Sequence, residues 1–145
     1  TLSGDNKSTS NNNLQLSGNT SVQIPDATEW IPAAATSSVG NAVRIGLLTN
    51  SANVLAFRVM TASSSNGGAF TSSSWWGSAD SYSDSASTLW AGISSSTVQR
   101  QIGNAGSGSY SSSAHLNTVL YYLNVASSQQ TGTYNAPITY TATGN

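Results

Sequence analysis

Few side chains in this chain can do chemistry, and their spacing assembles no recognised catalytic constellation. His115 is the one histidine, and a lone histidine within a β-rich run is more often a satisfied structural residue than a general base. Serine is abundant, but no Gly-x-Ser-x-Gly elbow occurs to present a nucleophile, so a Ser/His/Asp triad has no anchor. The carboxylates are Asp5, Asp26, Glu29, Asp80 and Asp84. The nearest pair, Asp80 and Asp84, lies in "DSYSD", which lacks the third-position ligand, the glycine and the glutamate of a calcium loop. There is no cysteine, hence no thiolate, no disulfide and no zinc cluster. The expectation is a non-enzymatic protein with no catalytic residue, no metal site and no cofactor.

Two motifs point to sugars. Asn6-Lys7-Ser8 and Asn19-Thr20-Ser21 match the N-glycosylation pattern, making Asn6 and Asn19 candidate acceptors on an exposed surface. Trp75 and Trp76 sit among glycine and serine, with Tyr82, Trp90 and Tyr110 not far away. On a strand such neighbours face opposite ways, which would leave one indole free to stack on a sugar; large aromatics more commonly fill cores and interfaces. Lys7 is the only lysine, and no acid and partner Asn for an isopeptide bond stand out. Arg44, Arg58 and Arg100 fall within expected strands; Arg58 and Arg44 either pair with the scarce carboxylates or project outward, and no basic patch is indicated.

Charged residues make up 6% of the 145, against about 25% in ordinary soluble domains. With a formal net charge of −1, nothing suggests nucleic acid or an anionic membrane as partner. Solubility must come from hydroxyls and amides, a surface that hardly titrates and suits an extracellular setting. No apolar run approaches the roughly 18 residues of a membrane span. The start at Thr1 without a methionine fits a secreted protein freed of its signal peptide.

Positioning falls to strands. Residues 1–21 are polar and low in complexity, like a disordered tail. "AVRIGLLTN" and "VLAFRVMT", joined near Asn50 to Asn53, read as a hairpin, with Leu55, Phe57 and Val59 on one side and Ala56, Arg58 and Met60 on the other. A Ser/Gly stretch over 63–87 is long for a structureless loop. Short strands are expected at 88–93 and 97–102. "HLNTVLYYLNVA" reads as a strand rather than a helix, because β-formers dominate and Val119, Tyr121, Leu123 and Val125 alternate with Leu120, Tyr122 and Asn124. The last strand is the most regular: Tyr134, Ala136, Ile138, Tyr140 and Ala142 form an apolar row opposite Asn135, Pro137, Thr139, Thr141 and Thr143. An all-β sandwich of immunoglobulin-like wiring follows, with 1–20 an N-terminal extension and 21–145 a single domain.

The polar tail, the number of strands and above all "TGTYNAPITYTATGN", with its Gly132-Thr133-Tyr134 step, resemble the pilin-type subunits of donor-strand-complemented surface filaments. Cysteine-free chaperone–usher-type fimbrial subunits and archaeal thread-type subunits are the nearest comparison. That resemblance implies an incomplete sandwich completed by a strand from a neighbouring subunit, in a homopolymer on the cell surface serving adhesion or cell–cell contact. On that reading Leu14, Leu16, Gly18, Thr20, Val22 and Ile24 line one face of a donor strand, suited to an apolar groove. The alternative is that Leu14 to Ile24 form the domain's own first strand, and a division at Gly18 between the two roles is also open. The Tyr134 to Ala142 row would be the acceptor edge, carrying no charged gatekeeper against pairing. The competing function is a monomeric carbohydrate-binding or adhesin module using Trp75 and Trp76, with glycans rather than itself as partner.

Overall fold

The structure is a computed structural model and describes residues 1–4, 13–32, 40–49, 52–60, 73–95, 97–103 and 117–143. Asp5, Asn6, Lys7, Tyr110 and His115 lie outside them. Seven strands run in order: β1 (Leu2–Gly4), β2 (Leu14–Leu16), β3 (Asn19–Ile24), β4 (Val54–Val59), β5 (Val119–Asn124), β6 (Tyr134–Asn135) and β7 (Ile138–Tyr140). Among the described residues, helix is confined to a 3-10 turn at Ile45–Leu47 and one α turn, α1, at Ser73–Trp76. The class is all-β, in small antiparallel sheets ordered β1-β7, β3-β2-β6 and β4-β5.

β4 is the centre. Alternation makes it an amphipathic strand only if one face meets solvent, yet all six of its residues are buried. Leu55, Phe57 and Val59 enter a cluster with Leu2, Trp30, Trp75, Trp76 and Ile93, while Val54 and Ala56 join Ala27, Leu48 and Trp90 on the other side. One edge of β4 pairs with β5 in continuous register, Val54 opposite Asn124 through Val59 opposite Val119. The other edge meets Ala91, with Phe57 N–H donating to the Ala91 carbonyl at 2.8 Å and the reverse bond at 3.0 Å.

Several expectations are corrected. Residues 42–49 do not form the first arm of a hairpin with β4: Val43 bridges Trp90 instead, and the chain then coils through the 3-10 turn. Gly46 sits in that turn, its N–H held by Asp84 Oδ1 at 3.2 Å, so the apolar run is used one residue at a time rather than as a ladder. Residues 88–93 and 97–102 form no strand ladder and make only single bridges, such as Glu29 to Gly92 and Leu2 to Arg100. The segment after Leu14 is not one extended strand. It turns at Ser17-Gly18, where Gly18 takes φ +84, a value open to glycine at little cost, and β3 returns antiparallel along β2. The row from Leu14 to Ile24 is therefore divided between two strands, with Leu14 opposite Ile24.

Arg58 does not project outward. Its guanidinium is buried and donates to the carbonyls of Trp76 at 2.9 Å, Ala79 at 2.8 Å and Ser81, while lying 5.8 Å from the ring centre of Trp90. Burial pulls its pKa down, partly offset by Asp80. One side chain thus gathers residues 76–81 against the core and supplies donors to backbone groups that burial would otherwise strand.

Candidate assembly interface

β1 is three residues long and has one apolar side chain, too little pattern to be legible as a strand. Its position explains it. It lies between β7 and residues 94–100, bonded on both edges. Toward β7 the register is Leu2 to Tyr140, Ser3 to Thr139 and Gly4 to Ile138, extended by Thr141 N–H donating to the Thr1 carbonyl at 3.1 Å. Toward the other side Leu2 N–H donates to the Arg100 carbonyl at 2.9 Å, and Arg100 N–H returns to the Leu2 carbonyl at 3.1 Å. Gly4 N–H donates to the Ser94 carbonyl at 2.8 Å, and the Ser94 hydroxyl to the Leu2 carbonyl at 2.7 Å. Leu2 is 1% exposed and plugs the tryptophan-rich cluster, with Ile138 and Leu14 packed alongside.

The same edge of the last strand continues onto β2. Gln15 opposes Asn135 and Leu16 opposes Tyr134, and Ser17 N–H donates to the Thr133 carbonyl at 2.8 Å. Thr133, Asn135, Thr139 and Thr141 share one parity, so their backbone groups point to this edge; Pro137 shares it and has no N–H to offer. The break between β6 and β7 falls there. The last strand is thus covered along this edge by two pieces of the first 17 residues, both antiparallel to it.

A second surface opens beside β5. This strand is bonded to β4 on one edge only, among the described residues. Val119, on its odd-numbered row, packs on the main cluster, but Tyr121, Leu123 and Val125 of that row are exposed, Leu123 by 51%. Leu123 and Val125, with Leu14, Ile24 and Tyr134, border a groove of about 530 Å³ with no charged residue in its lining. The hydroxyls of Tyr121 and Tyr140 hydrogen-bond to each other, and partial burial followed by that bond raises the Tyr121 pKa.

The other candidate residues are placed as follows. Thr20 is exposed and Val22 half-buried on β3; Ala136 is half-buried and Ala142 exposed beside the last strand. Trp75 and Trp76 are 3% and 0% exposed, because a helical turn, rather than a strand, sends both indoles inward. They pack on Trp30 with ring centres 5.8 Å and 4.5 Å away, so no sugar-stacking platform is presented there. Trp90 is likewise buried, and Tyr82 is exposed on its own. Asn19 is exposed at the hairpin tip. Leu2 and the exposed β5 row escaped the reading of individual site residues. The alternation of β5 was a signal for the second, and nothing in "TLSG" marked the first.

Comparison with family models, with curated proteins and with solved structures finds no match to this chain. No helix among the described residues is long and apolar enough to cross a membrane.

Proposed function

We propose that this chain is a structural subunit of an extracellular filament, an immunoglobulin-like sandwich that polymerises head to tail by strand donation, and that the donated piece is β1. The observation that carries this reading is β1 itself: a short segment hydrogen-bonded on both edges by chain almost a hundred or more positions away, with Leu2 as its plug. A neighbour's β1 would meet the same donors, acceptors and pocket, since main-chain bonds give affinity and the pocket gives specificity. Eight residues, 5–12, separate β1 from the hairpin, and a chain of that length can reach at most about 26 Å when fully extended. A head-to-tail exchange of this kind yields an open polymer where the rotation between successive subunits does not close. The exposed row of Tyr121, Leu123, Val125 and Tyr140 offers a neighbouring subunit apolar surface to bury. Burial of both indoles takes away the main support for the carbohydrate-module alternative.

The test uses the cysteine-free background. Ser3→Cys and Thr139→Cys introduce thiols at opposed positions, where the Cα separation of an antiparallel pair suits a disulfide. Oxidation of the assembled protein should give a covalent ladder of multimers on non-reducing gels. Closed monomers alone, at every protein concentration, would mean that β1 serves only its own chain.

A further inference from the structure

We infer that Asn19 is a glycosylation site, its side-chain amide nitrogen carrying an oligosaccharide. The inference rests on the extracytoplasmic part of the proposed function and goes beyond it. Asn19 opens β3 directly after the Gly18 turn, and residues 17–21 are all exposed. Its Oδ1 accepts hydrogen bonds from the Ser21 N–H at 3.2 Å and the Ser21 hydroxyl at 2.6 Å. The sequon's first and third residues are therefore in contact in the folded chain. With Oδ1 engaged on the Ser21 side, the Nδ2 half of the amide is presented at the tip of the hairpin.

The location also tolerates a bulky substituent. Asn19 is exposed and belongs neither to the groove lining nor to the residues that pair with β1. A sugar there would add hydration to a surface nearly free of charge, where solvation otherwise depends on hydroxyls and amides. In the modifying step Nδ2 bonds to the anomeric carbon of a lipid-diphosphate-linked oligosaccharide. The bond from that carbon to the phosphate oxygen breaks, the lipid diphosphate leaves with the electron pair, and the Nδ2 proton passes to a base of the transferase.

Trypsin separates the two sequons. Cleavage after Lys7 and Arg44 releases residues 8–44, which contain Asn19 and exclude Asn6. In protein isolated from its native cells this peptide should run heavier than its sequence by whole sugar residues. The increment should vanish in both Asn19→Gln and Ser21→Ala, the second of which keeps the asparagine. A peptide at its bare mass, or an increment that survives both substitutions and so sits on a serine or threonine, would overturn the assignment. Because the disulfide ladder is read on protein made without any transferase, a failure of strand donation and a failure of glycosylation are recorded separately.

Discussion

Replacing Leu2 with alanine tests the role of β1 most directly. The side chain is 1% exposed and packed within a cluster that includes Trp30, Phe57, Trp76 and Ile93, so the substitution removes buried apolar surface and leaves a cavity beneath a strand bonded on both sides. Buried Leu→Ala changes cost about 2 to 5 kcal/mol, and the two ladders that hold β1 in place limit collapse of the cavity, favouring about 3 kcal/mol or more. That is a large share of the roughly 5 to 15 kcal/mol that stabilises a typical domain. With a urea slope of about 2 kcal/mol per molar, the unfolding midpoint should fall by about 1.5 M. Leu47→Ala is the control: Leu47 is 62% exposed, and its truncation should stay within about 0.5 kcal/mol of the parent. Urea unfolding followed by tryptophan fluorescence measures both, since Leu2 shares its cluster with three indoles. The experiment also reports who supplies the strand. Where a neighbour does, the midpoint of the parent rises with protein concentration, because assembly favours the folded state by mass action. If Leu2→Ala and Leu47→Ala shift the midpoint equally, β1 is not a structural plug and the argument for its donation fails.

Arg58→Lys should destabilise the fold by about 3 kcal/mol in the same unfolding assay, because an ammonium cannot reach the carbonyls of Trp76, Ala79 and Ser81 together and each bond from a charged donor contributes about 1.5 to 3 kcal/mol. Gly92→Ala should cost about 2 kcal/mol or more, or block folding, since the added methyl group would run into the Ala27 carbonyl; circular dichroism and a thermal melt decide it. Alkaline stability should depend on Tyr121: its phenol ionises near 10 in the unfolded chain and higher in the folded one, so above about pH 10 the unfolded state sheds a proton the folded state keeps, and stability falls as pH rises. Tyr121→Phe should flatten that fall in unfolding measured from pH 9 to 12, and an unchanged slope would exclude Tyr121 as its source.

What the sequence made legible is whatever alternates over five or six residues. β4 and β5 are β-branched and aromatic with period two, and both are strands; the choice of strand over helix for Val119 to Asn124 follows from that composition. The parity of the last strand holds only in its first half, with Tyr134, Ala136 and Ile138 half-buried against exposed Asn135 and Pro137; beyond Ile138 it reverses, Tyr140 and Ala142 being exposed and Thr139 and Thr141 half-buried. What was not legible depends on tertiary partners. Arg58 belongs to the more polar row of β4, yet loop carbonyls from residues 76–81 satisfy it in the interior, which no local pattern announces. Trp75 and Trp76 look divergent in a strand and converge in a single helical turn. Residues 42–49 carry strand-like composition, but Val43 pairs with Trp90 and the turn at Ile45–Leu47 ends the ladder. Ser17-Gly18-Asn19 did contain a turn signal, and its effect is to convert an apparent eleven-residue insert into a hairpin.

That hairpin changes how strand donation has to work. A single strand over Leu14 to Ile24 would present a continuous apolar face, but the fold spends both halves on its own sheet, Leu14 facing Ile24 and Leu16 facing the Gly132 region through Tyr134. The segment left to give is the one beyond residues 5–12, and it is small: three strand residues with one large apolar side chain. A plug of that size binds weakly alone, since ordering its backbone costs about 1 to 2 kcal/mol per residue against a single leucine and a few main-chain bonds. Tethering resolves the difficulty, because a strand held at the end of a short linker sees its slot at an effective concentration in the millimolar range. The same tether lets the subunit fill its own slot, so self-completion and donation compete for one site. Which of them wins depends on subunit concentration and on what else a neighbour contributes. On the proposed assembly the β5 row would supply such a contribution, since Tyr121, Leu123 and Val125 are exposed. On the proposed assembly, a weak, tethered plug and an uncovered apolar row would each be insufficient for a stable polymer, and together they would make assembly steeply dependent on concentration.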